Sequence, residues 1–172
     1  MSSRQSLPVH IVGSGLAGSE AAFYLAERGV EVVLHEMRPL KMTEAHKSDR
    51  CAELVCSNSL KSLSPVSAPG MLKSEMSRVG SLILNAAKLA QVPGGEALAV
   101  DREVFAEHIT QTLRSHPRIR FEAGEVTAPL SESEGAITLL ATGPLTSDGL
   151  SAWLAKATGD KDLYFYDAIA PI

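Results

Sequence analysis

Gly13, Gly15, Gly18 and Glu36 are the residues in this chain whose types and spacing most directly imply chemistry. The glycines fall in the run Gly13-Ser14-Gly15-Leu16-Ala17-Gly18, a G-x-G-x-x-G pattern, and Glu36 follows 18 residues after Gly18. Gly13 permits a tight turn, Gly15 lets the backbone approach a pyrophosphate, and Gly18 lets a helix pack close to a strand. A helix that starts here offers unbonded N–H groups and a partial positive charge to phosphates, with Ser14, Leu16 and Ala17 supplying backbone beside the glycines. A carboxylate at Glu36 can accept the ribose hydroxyls of an adenosine. The competing reading is a glycine-rich turn with no ligand.

The flanking elements decide whether the motif means anything. An apolar run (Val9, Ile11, Val12) leads into the glycines. A helical pattern (Ala21, Ala22, Leu25), Gly29 and a second apolar run (Val30, Val32, Val33, Leu34) then end at Glu36. Strand, glycine turn, helix, strand and acid are the context in which the motif binds a dinucleotide. Residues 37–74 show no sustained periodicity and carry Pro39, Pro65, Pro69 and Gly70; a connection of this length points to a functional loop. A helix is expected from Ser74 to Leu89, with Met76, Val79, Ile83, Ala86 and Ala87 on one face. A second is expected from an Asp101 N-cap to about Arg114, with Val104, Phe105, Ile109 and Leu113 inward. Ile119 to Val126 alternates like a strand, Pro129 to Gly135 reads as a turn, and Gly149 to Thr158 as a short helix stopped by Gly159. Ala136 to Ala141 reads as a buried apolar strand opening into Thr142-Gly143-Pro144. Small residues at the end of such a strand let a cofactor approach the backbone, and paired with the first glycine motif they favour FAD over NAD. Taken alone, the feature is also compatible with an ordinary glycine turn after a buried strand.

Composition narrows the classes. The 172 residues are 45% hydrophobic and 21% charged, ordinary for a globular domain. No apolar run reaches membrane-spanning length, and the first residues contain no apolar signal core, so a cytoplasmic location is expected. The net charge of −4 argues against a polyanion binder as a whole, but residues 36–80 carry a local +2, leaving −6 elsewhere. That segment could face phosphate or be an ordinary solvated loop. Cys51 and Cys56 form neither a C-x-x-C redox pair nor a zinc pattern. The five histidines have no metal spacing, so no metal is expected.

Several segments together resemble one family: GSGLAGSEAAFYLAERG, EMRP (Glu36 to Pro39), AELVCSNSLK (Ala52 to Lys61), ALAVDREVF (Ala97 to Phe105), LLATGPLTS (Leu139 to Ser147) and DLYFYDAIAPI (Asp162 to Ile172). The chain is similar, from Val9 onward, to the folate- and FAD-dependent tRNA (uracil-5-)-methyltransferases. The glycine motif is shared by many flavoproteins; EMRP and ELVCSNSL are far more specific. Members of that family are longer, so the resemblance implies an N-terminal portion, with much of the tRNA-binding surface lying elsewhere. It implies an α/β, Rossmann-like FAD-binding domain of the two-dinucleotide-binding-domain flavoprotein type, incomplete over residues 8–172, after a flexible segment at 1–7.

The implied reaction places a methyl group on C5 of a uridine in the tRNA T-loop. Methylenetetrahydrofolate supplies the carbon, reduced FAD the electrons, and NADPH or NADH reduces the FAD. Uracil C5 is a poor nucleophile, and a thiolate adding at C6 makes it a better one. Cys56 matches the family cysteine implicated there, either as that nucleophile or as a protector of the one-carbon unit; on the residues alone, a small core cysteine after Leu54 and Val55 is the simpler reading. Cys51 reads as structural. Ser57 and Asn58 offer donors to a flavin ring or cap a turn. Arg38 suits a phosphate, an adenine or open solvent. Arg102 could reach a flavin, Val126 could offer backbone to adenine, and Thr142 and Gly143 could approach the pyrophosphate or ribityl chain. Rival readings are another FAD-dependent oxidoreductase and a truncated, non-catalytic FAD-binding fragment.

Overall fold

Apolar residues on both faces make Val9–Val12 (β1) and Val32–Glu36 (β2) interior strands, and the small residues of Leu16–Ala26 (α1) let that helix lie close across them. β1 and β2 pair in parallel, from Val9 opposite Val32 to Val12 opposite His35. The computed structural model describes residues 7–130 and 136–159. Outside them lie nearly all of the expected N-terminal segment, most of the Pro129–Gly135 turn and the whole of Asp162–Ile172.

Between β2 and its next parallel partner the chain inserts a second unit. It consists of Ser59–Ser62 (β3), Ala68–Arg78 (α2), Leu82–Leu89 (α3), Gln91–Val92 (β4), Ala97–Val100 (β5) and Arg102–Ser115 (α4). β3, β5 and β4 form a small antiparallel sheet with β5 at its centre. Ile119–Ala123 (β6) then pairs in parallel with the outer edge of β2, and Ile137–Leu140 (β7) with the opposite edge of β1. The main sheet therefore runs β6-β2-β1-β7. Its order reverses between β1 and β7, where a crevice opens at the carboxyl ends of the strands. One core joins the two units: Ile11, Val32 and Leu34 from the main sheet, Ala22 and Ala26 from α1, Ile83 and Ala87 from α3, and Phe105, Ile109 and Leu113 from α4. The remaining helix, Asp148–Thr158 (α5), is capped by Ser147 and stopped by Gly159 at positive φ.

α4 and α5 match the expected extents, and Asp101 caps α4 by accepting from the N–H groups of Glu103 and Val104. Phe105, Ile109 and Leu113 face inward as expected, but Val104, in the first turn of the helix, is 50% exposed. The helix expected over Ser74–Leu89 is instead two. Gly80, at φ +82°, ends the first, and the Ser81 side chain caps the second by accepting from Leu84 N–H. Val79 is consequently exposed while Ile83, Ala86 and Ala87 are buried. The segment 37–74 is also less irregular than its sequence suggests, because β3 and the start of α2 fall inside it. β6 ends at Ala123, short of Val126. β7 is apolar but not buried: it is an edge strand, with Ile137 62% and Leu139 41% exposed.

Gly18 is buried on α1, where a Cβ would collide with the carbonyl oxygen of Gly13. Gly15, at the start of the same helix, has nothing within 4 Å of a Cβ position. Gly18→Ala should therefore cost at least about 1–3 kcal/mol of stability, from overpacking against backbone. Gly15→Ala should stay within about 0.5 kcal/mol of the parent. Thermal unfolding of the two variants checks the contrast.

Candidate functional site

The crevice at the reversal point is a cleft of about 320 Å³. Its floor is the turn after β1 and its walls are the segments that follow β2, β6 and β7. Gly13, at φ +98°, donates its N–H to His35 O at 2.8 Å, and a Cβ there would press on Ala141 O at 2.8 Å. Gly15, Leu16 and Ala17 bring the N-terminus of α1 into the cleft. No side chain caps that end, and its first turn carries no acid. Its free N–H groups and the positive end of its dipole are available to an anion, and the Gly15 backbone presents no side chain to block one.

Glu36 organises the adjoining wall. Its Oε2 accepts from Ser14 N–H at 3.0 Å, Ser14 Oγ at 2.6 Å and Arg38 Nη2 at 3.1 Å. Its Oε1 accepts from Arg38 N–H at 3.1 Å and Arg38 Nε at 3.0 Å. Burial alone would favour the neutral acid, but the bonds from Arg38 and Ser14 outweigh it and hold the carboxyl at about 2. Arg38 is only 4% exposed, which removes the reading of it as a surface arginine. Its Nη1 also donates to Ser48 O at 3.0 Å and to Glu53 Oε2 at 3.3 Å. Ser14 lies beneath the cleft, fully buried, and its carbonyl accepts from Ser19 Oγ and from Ala52 N–H.

Of the residues singled out in the sequence, Gly13, Gly15, Leu16, Ala17, Glu36, Arg38, Val126, Thr142 and Gly143 all line this one cleft. Ser14 and Gly18 shape it from behind. Cys56 is exposed and lies one residue beyond Val55, which lines the cleft, so the core reading of Cys56 does not hold. Cys51 is buried, and burial pushes its thiol up. Ser57 Oγ accepts from Ser59 N–H, a turn cap. Asn58 exchanges bonds with Val100, donating from Nδ2 to its carbonyl and accepting from its N–H. Arg102 faces a separate recess with Lys47 and Arg50.

Sequence reasoning missed Thr43, His46, Glu53 and Ser147, which also line the cleft. Thr43 and His46 form a local turn, with Thr43 Oγ1 2.7 Å from His46 Nδ1 and accepting from His46 N–H. Burial, aided by the Arg38 charge, pushes the His46 imidazole down from its ordinary value. Ser, Thr and His at short spacing in the EMRP loop were the available signal. Among the described residues no group of three or more His, Cys, Asp or Glu could hold a metal ion, and no helix is long and apolar enough to cross a membrane.

A parallel sheet with a glycine turn at its reversal point, an open helix end and an acid after the second strand defines a Rossmann-like domain of the FAD-binding type. The family described as glucose inhibited division protein A matches residues 8–172, and the chain belongs to that family. It is 54% identical over 167 residues to the methylenetetrahydrofolate–tRNA-(uracil-5-)-methyltransferase TrmFO of Koribacter versatilis, covering 97% of this chain and 37% of that relative. With the enzyme of the same name from Staphylococcus carnosus it shares 55% identity over 164 residues, 95% of this chain and 37% of the relative. The chain thus spans well under half the length of these relatives. Among solved structures, GidA of Aquifex aeolicus superposes with a TM-score of 0.59 at 16% identity, over 77% of this chain and 22% of that one, a likeness of fold.

The Glu36 network carries a pH signature. Its folded value of about 2 lies below the ordinary 4.5, so its contribution is complete above about pH 4.5 and is lost as pH falls towards 2. The side chain is only 12% exposed, so the shift corresponds to roughly 3 kcal/mol at neutral pH. Glu36→Gln should be destabilised by that order at pH 7, and its gap to the parent should close between pH 4.5 and 2. Chemical denaturation at a series of pH values checks this.

Proposed function

We propose that this chain is the FAD-binding portion of a flavoprotein that methylates C5 of a T-loop uridine in tRNA, with methylenetetrahydrofolate as carbon donor. The observation that carries this reading is the exposed Cys56, one residue beyond cleft-lining Val55, next to a cleft whose helix end carries no side-chain cap. Relatives above half identity that bear the corresponding enzyme name support it.

The residues fit FAD. Gly15, Leu16 and Ala17 would receive the pyrophosphate at the α1 N-terminus, where the bare Gly15 backbone leaves room for it. Glu36 would take the adenosine ribose, and Val126, Thr142 and Gly143, which line the same cleft, would flank the cofactor. Bound FAD supplies the electrons that turn a methylene unit into a methyl group, drawn from NADPH or NADH. Cys56 acts on the uracil. Its thiolate adds to C6, the electron pair displaced from the C5–C6 double bond makes an enolate, and C5 becomes the nucleophile that takes the carbon. Loss of the C5 proton with cleavage of the bond between the carbon and its carrier nitrogen leaves an exocyclic methylene; addition of a hydride equivalent to that carbon makes the methyl group, and the resulting enolate expels the thiolate and restores the C5–C6 double bond. Ser57 and Asn58 hold the backbone on the far side of Cys56 through their turn and their bonds to Val100. Arg102 lines a separate recess with Lys47 and Arg50, where it would meet an anionic group such as a phosphate or a folate carboxylate. The rest of the tRNA contacts belong to the remainder of the protein, acting in the cytoplasm.

Two substitutions separate cofactor binding from chemistry. Gly15→Val should fold but lose flavin on purification, because its side chain occupies the pyrophosphate approach; a yellow variant contradicts that placement. In the complete protein, Cys56→Ala should retain flavin yet lose at least about 10³-fold in transfer of labelled methyl groups to T-loop uridine, as expected when a covalent nucleophile is removed. Unchanged turnover with Cys56→Ala overturns the assignment.

A further inference from the structure

Glu36 has no acceptor capacity to spare. A carboxylate offers about four lone-pair directions, and Glu36 already receives five protein donors, three on Oε2 and two on Oε1. A ribose hydroxyl that bonds to Glu36 must displace one of them. Two of the five are backbone N–H groups, fixed by the turn after β1 and the end of β2. The donors able to yield are Ser14 Oγ and the Arg38 guanidinium, which share Oε2.

Arg38 cannot move alone. Its other edge is held by Ser48 O and by Glu53 Oε2. Glu53 in turn ties down the loop before it: Oε1 accepts from Lys47 N–H at 2.9 Å, and Oε2 from Ser48 N–H at 3.1 Å and Ser48 Oγ at 2.8 Å. The backbone beside Glu53 is pinned by Ala52 N–H on Ser14 O at 2.8 Å and by Cys51 N–H on Thr110 Oγ1 at 2.9 Å. The next long-range anchor is Asn58 on Val100. Cys56 therefore rides on a short span between two clamps, and one clamp shares its arginine with the adenosine end of the cleft.

We propose that Glu53 is a positioning residue: through Arg38 it couples occupation of the adenosine end of the cleft to the placement of the Cys56 loop. The proposal rests on the FAD reading above. Although Glu53 lines the cleft, its part here is to transmit, through one guanidinium, the rearrangement that a ribose hydroxyl forces on Glu36. By linkage the effect is reciprocal, so loosening the loop also changes affinity for the adenosine moiety.

The test is the rate of Cys56 alkylation by iodoacetamide, read by peptide mass spectrometry with and without FAD, in the parent, Glu53→Gln and Glu53→Ala. Buried Cys51 is the internal reference for global opening. In the parent, saturating FAD should change the Cys56 rate by about fivefold or more, the lower end of ordinary site-to-site coupling. Glu53→Ala should bring that ratio close to one while Cys51 stays protected and FAD still binds. Glu53→Gln, which keeps an acceptor but not the charge, should give an intermediate ratio. Simple shielding of Cys56 by FAD would leave the parent ratio intact in both variants, and that result overturns the proposal. If Glu53→Ala exposes Cys51, Glu53→Gln alone decides, and a parent-like ratio there overturns it. A parent protein that fails to bind FAD in a fluorescence titration refutes the cofactor reading and the coupling together. Bound FAD with no change at Cys56 refutes the coupling alone.

Discussion

A carboxylate placed at the end of a buried strand has to be satisfied by the chain around it, and Glu36 sets that requirement here. An unpaired charge in this position would be strongly unfavourable. The response is local and specific: Ser14 turns both its N–H and its hydroxyl toward Glu36, and Arg38 folds back over it with backbone and guanidinium. Arg38 then needs acceptors for its remaining edge, which brings in Ser48 and Glu53. Glu53 in turn holds the backbone of Lys47 and Ser48 and stands three residues before Cys56. One half-buried acid thus connects the glycine turn, the end of the second strand and, through Arg38 and Glu53, the segment that precedes Cys56.

The glycines divide their work around this centre. Gly13 and Gly18 are required by packing, since a Cβ on the first would press on Ala141 and on the second would strike Gly13. Gly15 is not required by the protein at all, because its Cβ position is empty space at the mouth of an uncapped helix. A glycine with no steric reason of its own, beside free N–H groups and a helix dipole, is what a backbone prepared for a pyrophosphate looks like. Across the crevice Gly143 also carries no Cβ contact, but its positive φ is itself a backbone reason for glycine.

Much of this was legible from residue order. β1, α1 and β2 follow from the apolar runs on either side of the glycine motif, and the Asp101 and Gly159 boundaries follow from capping chemistry. The break at Gly80-Ser81 was legible in principle, as a stop and start signal, but the apolar stripe running across it suggested a single helix. β3 was hidden because Ser59–Ser62 lacks both alternation and apolar weight; it exists by pairing with β5. The apolar run of β7 suggested burial, yet apolarity cannot tell a central strand from an edge. The spacing marked Glu36 as a cleft residue and left Arg38 open between ligand and solvent, and it gave no sign that the two bind each other. Glu53 was illegible, because its role depends on a long loop folding back onto Arg38, a tertiary event with no local periodicity.

The most direct test of the central claim is a crystal structure of this protein bound to FAD. The account predicts the pyrophosphate against the N–H groups at Gly15 and Leu16. It also predicts the adenosine ribose within hydrogen-bonding distance of Glu36, with Arg38 or Ser14 Oγ displaced from its present bond. A dinucleotide bound away from the α1 N-terminus, or one whose ribose leaves the Glu36 network untouched, would contradict it.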